Sequence, residues 1–208
     1  KQFIENAAHE LQTPLAISIN KLELLVEKEE LNEEQIELIA SVLNNLEGLT
    51  RMNKSLLLLS KIENQQFPEE EIVDFNAVIT DLKSDFEDLA GHKEMKINLK
   101  STTSLKYKMN KGLARILLSN LLKNAIIHGQ RNSEIEIEIS AKNFIIRNTA
   151  NNGALDPEKV FSRFQKDSSS KTSTGIGLAI AQTIAKKYEF QLTYYYEQKH
   201  TFQLRFPR

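Results

Sequence analysis

Cysteine is absent from the 208 residues, and so is tryptophan. Without thiols the chain can hold no disulfide, no thiolate nucleophile and no thiolate zinc site, a composition that fits a reducing compartment. Long apolar runs are also missing. None approaches the ~20 residues that cross a bilayer, and no signal-peptide pattern opens the sequence. Neither sign of charge dominates: 27 Lys and Arg stand against 28 Asp and Glu, a formal net charge of −1. That balance provides no field for nucleic acid or for an anionic membrane. Chain breakers are scarce at the start, where the only glycine up to residue 64 is Gly48 and the only proline is Pro14. A stretch so poor in breakers is expected to be helical. It opens on "KQFIEN" with a helical pattern already running, as expected of a piece of something longer.

What is present is 40% hydrophobic and 26% charged, enough for one large domain or two small ones. Apolar residues recur at Ile4, Ala8, Leu11, Leu15, Leu22 and Leu25, the seam of a helix that packs on other helices. After the charged run "EKEELNEEQ", Asn32 with Gln35 three residues on has the form of a capping box. A second seam follows through Ile36, Ile39, Leu43, Leu46, Leu49, Leu56 and Leu59. Two helices of about 27 and 32 residues form a hairpin over about 40 Å long. One hairpin cannot cover both seams, so it is expected to dimerise into a four-helix bundle.

"NQQFPEEEIVD", residues 64 to 74, interrupts this pattern with Pro68 and an acidic run. Residues 1–66 therefore read as one unit, 67–74 as a linker and 75–208 as a second unit. In the second unit a helix is expected from about Asn76 to His92, followed by strands in "MKINLK" and "SLKYKM" and a helix from about Lys111 to His128. "EIEIEIS" alternates, exposing Glu134, Glu136 and Glu138 and burying its isoleucines, and "NFIIRN" pairs with it. A helix after Gly175 and two last strands complete an α/β sandwich.

Three groups there suit chemistry. Asn120 and Asn124 lie four apart on one helical face, and two carboxamides can hold Mg²⁺ while phosphates and water fill its remaining positions. As a bare pattern this is a solvated polar stripe. Gly175 and Gly177 precede an amphipathic helix and leave its first N–H groups uncovered, an anion site suited to phosphate. Taken alone they are a helix entry packed on a strand. Asn148 ends a strand before an Asn- and Gly-rich turn, where its carboxamide can accept from an adenine amino group and donate to the neighbouring ring nitrogen. By itself it is an Asx-turn. His9, next to Glu10, is in isolation an exposed helical histidine paired with its neighbour.

In chain order these segments read H-E-x-x-T-P, N-x-x-x-N-A-x-x-H, F-x-x-F and T-G-x-G-L-A-I. Together they resemble a bacterial two-component sensor histidine kinase over nearly the whole chain. The resemblance implies a dimerisation and phosphoacceptor domain followed by a Bergerat-type ATP-binding domain. It further implies ATP and Mg²⁺ as cofactors, a homodimer, and the receiver domain of a response regulator as partner. A cytoplasmic fragment is implied, with the full-length protein anchored in the inner membrane, and with neither nucleic acid nor membrane contact in the fragment itself. By position, His9 matches the phosphorylated histidine, Glu10 the acid that polarises it, and Thr13 the residue linked to phosphatase action on the regulator. Asn124 matches the principal magnesium ligand with Asn120 supporting it, and His128 a nucleotide-contacting position. Phe161 and Phe164 match the aromatic box beside the lid, and Gly175 and Gly177 the glycines that cradle phosphate.

Three features depart from that pattern. Asn148 replaces the usual Asp at the adenine position, keeping an acceptor oxygen but losing charge. Ile127 stands where a phosphate-contacting Lys often occurs, so Lys123 or the lid residues Lys166 and Lys171 are candidates to supply the charge. The lid itself, residues 165 to 174, is short and has no glycine. These departures point to a variant branch. They also support two alternatives: a dimeric scaffold with a weakened nucleotide site, and a phosphatase-biased form. A gyrase-like ATPase is disfavoured, because a carboxamide at Asn120 cannot act as the base that activates water. Pro14 lacks the N–H that would bond to the Glu10 carbonyl, which gives the helix a place to bend one turn after His9.

Overall fold

The structure is a computed structural model that describes residues 2–28, 30–151, 153–164 and 175–207. Its first part is a helical hairpin, α1 (Gln2–Lys28) and α2 (Glu33–Glu63). Asn32 caps α2 as its spacing predicts. Its side chain accepts from the Gln35 N–H at 2.9 Å, while the Gln35 carboxamide accepts from the Asn32 N–H at 3.0 Å. The two helices run antiparallel, since the Glu5 carboxylate near the start of α1 accepts from Asn64 and Gln66 at the end of α2. Level with the phosphoacceptor candidate, the buried Asn53 of α2 donates its side-chain N–H to the Ala8 carbonyl. Pro14 lies inside α1, which continues across it.

The second part is an α/β sandwich, as the alternation of strand and helix patterns predicts. Its elements are β1 (Glu71–Asp74), α3 (Phe75–Asp85), α4 (Glu87–Gly91), β2 (Lys96–Ser101), β3 (Lys106–Met109) and α5 (Lys111–His128). β4 (Glu134–Ile139), β5 (Asn143–Asn148), α6 (Gly177–Lys187), β6 (Gln191–Glu197) and β7 (Lys199–Arg205) follow. Five strands form a sheet in the order β2-β4-β5-β7-β6, parallel only between β2 and β4. β4 pairs with β5 so that Ile137 opposes Ile146, and Ile135, Ile137 and Ile139 are buried. The intervening glutamates stay at the surface, where Glu136 pairs with Lys199 at 2.7 Å and Glu138 with Arg147 at 3.0 Å.

α5 is the central helix of the core. Leu113, Leu117, Leu118, Leu121, Leu122 and Ile126 are all without solvent exposure. Truncating one of these leucines to alanine costs about 2–5 kcal/mol, because the close-packed surroundings cannot collapse into the space. Asn110 starts α5 by accepting from the Leu113 N–H at 3.0 Å. Lys93 closes its other end, donating to the carbonyls of Ile127 and Gly129.

Two elements differ from the sequence pattern. The helix expected over residues 76–92 is two helices, parted at Phe86. The stretch read as a linker ends in β1, which pairs with β3 and places Val73 opposite Tyr107. None of the described helices is long and apolar enough to cross a membrane.

Candidate functional site

α5 and the start of α6 meet along one face, and α6 also packs on α2. Between these three helices lies a cavity of about 300 Å³. α5 contributes Asn120, Asn124 and His128 to its wall, and the turn into α6 contributes Gly175 and Gly177. Five residues chosen from sequence spacing are thus gathered around one space. Their elements explain why: the i, i+4, i+8 row on α5 turns away from the leucine face that fills the core.

Asn120 is oriented by its own helix. Its side-chain N–H donates to the Ile116 carbonyl at 2.9 Å, which directs Oδ1 toward α6. A Cβ placed on Gly177 would stand only 2.8 Å from that oxygen, so any side chain there would push Asn120 out of this orientation. Gly175 has a left-handed backbone, φ 67°, that a side chain would strain. The Asn124 side chain makes no hydrogen bond with a described residue. Two carboxamide oxygens, one oriented and one uncommitted, fit Mg²⁺, a cation that keeps several waters and takes its remaining ligands from phosphates. No group of three or more His, Asp or Glu side chains among the described residues offers an alternative metal site.

Among the described residues the cavity wall carries three cations, Arg51 and Lys54 from α2 and Lys123 from α5, and no carboxylate. The first two were missed by sequence reasoning, which read α2 only as a seam. Ile127 also lines the cavity, so an apolar side chain occupies the place where a lysine was expected. Lys93 stays at the carbonyl end of α5, and burial, with Arg131 nearby, lowers its pKa.

Other chosen residues lie elsewhere. His9, Glu10 and Thr13 are exposed on α1 and do not line the cavity, although Asn53 holds their turn level with Arg51 and Lys54. Asn148 is buried at the end of β5, opposite His200 of β7. His200 belongs to a small polar group, in which the Leu155 N–H donates to the Tyr194 hydroxyl and that hydroxyl lies 2.9 Å from His200 Nδ1. Burial raises the Tyr194 pKa. Phe161 packs edge-on to Phe202, whereas Phe164 is exposed, with φ 65°. The Phe164 N–H donates to the Gly175 carbonyl at 2.9 Å, and Arg163 pairs with Glu63 of α2. Lys166, Lys171 and the rest of 165–174 lie outside the described residues.

Residues 1–65 match the His Kinase A (phospho-acceptor) domain, and residues 110–208 match the histidine kinase-, DNA gyrase B- and HSP90-like ATPase family. The heme sensor protein HssS of Staphylococcus epidermidis is 30% identical over 216 residues, covering 97% of this chain and 46% of that protein. The sensor histidine kinase HprS of Escherichia coli is 27% identical over 215 residues, covering all of this chain and 47% of its own length. The chain therefore spans about half the length of the curated relatives it matches. Among solved structures, full-length ShkA in complex with AMPPNP superposes with a TM-score of 0.79 at 20% identity, covering 99% of this chain and 45% of that one. Histidine kinase AdeS of Acinetobacter baumannii gives 0.64 at 24%, covering 95% and 96%. At these identities the likeness is one of fold.

Proposed function

Because the chain belongs to the two-component sensor histidine kinases, we propose that it uses Mg-ATP to phosphorylate His9 and then passes the phosphoryl group to a receiver aspartate. One observation carries the reading. Asn120, Asn124 and the two glycines converge on a cavity whose α2 wall is level with His9. In this reading residues 1–66 dimerise and carry the phosphoacceptor, and 75–208 bind nucleotide, with the end of the 67–74 connection joining the second unit through β1.

His9 attacks the γ-phosphorus through one ring nitrogen. An N–P bond forms, the bond to the β,γ-bridging oxygen breaks, and ADP leaves with that electron pair. Glu10 takes the proton of the other ring nitrogen into a hydrogen bond and so fixes the tautomer of the attacking ring. Mg²⁺, held by Asn124 with Asn120, would neutralise phosphate charge. The N–H groups at the start of α6 bind phosphate oxygens where Gly175 and Gly177 leave them uncovered. Such a transfer depends on positioning and charge more than on covalent help. Asn148 accepts from the adenine amino group with a neutral oxygen. Thr13 orients water when the same helix removes phosphate from the regulator.

The homodimer is supported by the apolar side chains that the hairpin leaves in solvent, including Leu11, Ile17, Leu24, Val42 and Leu49. Burying them against a second copy completes a four-helix bundle. By the same family reading the chain is the cytoplasmic part of a membrane-anchored sensor. ATP labelled at the γ-phosphate tests the proposal: the chain should retain label and His9→Gln should not. A chain that binds nucleotide without ever taking label would instead favour the phosphatase-biased form.

A further inference from the structure

We infer that Arg51 and Lys54 of the hairpin helix α2 bind the polyphosphate of the nucleotide, so that the phosphoacceptor unit forms one wall of the ATP site. The inference rests on the nucleotide reading above and assigns it residues outside the ATP-binding unit. Arg51, Lys54 and Ser55 stand at i, i+3 and i+4, hence on one face of α2, and all three line the cavity opposite Asn120 and Asn124. The rotation of α2 that puts them there is fixed from its other side, by the buried Asn53 donating to the Ala8 carbonyl and by the buried Leu57.

Charge supports the assignment. A triphosphate needs more positive charge than Mg²⁺ and a helix N-terminus supply. Ile127 gives none, and the described wall offers only Arg51, Lys54 and Lys123 against no carboxylate. Lys54 forms no ion pair with a described residue. Among the described residues Arg51 is held only by Glu47, one turn back at 3.3 Å, with both side chains about half exposed. Such a surface pair is weak, and Arg51 can exchange it for phosphate oxygens through its forked donors.

Binding through α2 has a consequence for the reaction. The same two cations belong to the turn that Asn53 holds level with His9, so a nucleotide engaged by them is drawn toward the phosphoacceptor's level on the hairpin. Its phosphates then tie the two units of the chain together.

Calorimetric titration of the full 208-residue chain with Mg-ATP and, separately, with AMP tests the assignment. R51Q and K54Q should each weaken Mg-ATP about threefold and the double variant about tenfold, the loss expected for charge-assisted contacts at a partly exposed site. AMP should change by less than about twofold, K54R should restore most of the ATP affinity, and Lys61→Gln, nearer the end of α2 and outside the cavity, should have no effect. Mg-ATP binding by the double variant within about twofold of the parent overturns the inference. So does an equal loss for AMP, which would mark a general structural effect. A parent chain that binds neither nucleotide overturns the nucleotide reading itself, an outcome separate from the other two.

Discussion

Replacing Gly177 with alanine sets two effects against each other. Alanine stabilises the first turn of α6 relative to glycine by about 0.4–1 kcal/mol, chiefly by restricting the unfolded chain. The new Cβ, however, meets Asn120 Oδ1 at 2.8 Å. Asn120 must turn and surrender its bond to the Ile116 carbonyl, a net loss of about 0.5–1.5 kcal/mol. The two nearly cancel, so thermal stability should shift by no more than a few degrees. Nucleotide binding has no such compensation. It loses an oriented oxygen near the phosphates and the close approach of the α6 backbone, together worth about 1.5–3 kcal/mol, or about ten- to a hundredfold in affinity. Calorimetry with Mg-ATP reads the affinity and a thermal melt reads the stability. The double variant N120A/G177A separates the two losses: the part caused by the clash with Asn120 is already present in N120A alone, and any further weakening belongs to the α6 backbone. Undiminished binding by G177A would refute the geometry argued for the cavity, and so would a melting point lowered enough to explain the loss.

Other outcomes follow from particular contacts. Asn53→Ala leaves the Ala8 carbonyl without its cross-helix donor and should cost about 1–3 kcal/mol in urea unfolding; an unchanged midpoint would show that the bond does not hold the hairpin. The hydrogen bond from Lys199 lowers the Glu136 pKa, with the charges of Lys199, Arg147 and Lys100 adding to it. A carboxylate held below its unfolded value stabilises the fold above that unfolded value and ceases to do so as pH falls through the lowered one. Glu136→Gln should thus cost less than about 1 kcal/mol at neutral pH and nothing in acid; a cost that persists at low pH would point to packing instead. Thr13→Ala should prolong phosphorylation of the regulator without slowing phosphorylation of the chain itself, and equal loss of both would indicate helix damage.

Much of this architecture was legible because periodicity reports which face is buried. The isoleucines of β4, the leucines of α5 and the capping box of Asn32 each carried a local signal that the tertiary structure kept. The break at Phe86 carried none. The Phe86 N–H still donates to the Leu82 carbonyl and the Ala90 N–H to the Phe86 carbonyl, so the helical bond pattern crosses the break without a proline or glycine to mark it. β1 was hidden for another reason. It is four residues long, two of them acidic, and its partner β3 lies more than thirty residues away. At the site, Asn120, Asn124 and the glycines were readable because they share one helix face or one turn. Arg51 and Lys54 were not, because their role depends on how α2 packs beside α6, a contact between distant parts of the chain that no local spacing records.

On the proposed function, His9 receives phosphate from a nucleotide bound between α5 and α6. The most direct measurement is the site and chemistry of the label after incubation with Mg-ATP radiolabelled at the γ-phosphate. Label should appear on the peptide containing His9, lost in acid and kept in alkali as an N–P bond requires, absent from His9→Gln and strongly reduced in Asn124→Ala. Label that survives acid, or that persists undiminished in either variant, would contradict the proposed transfer.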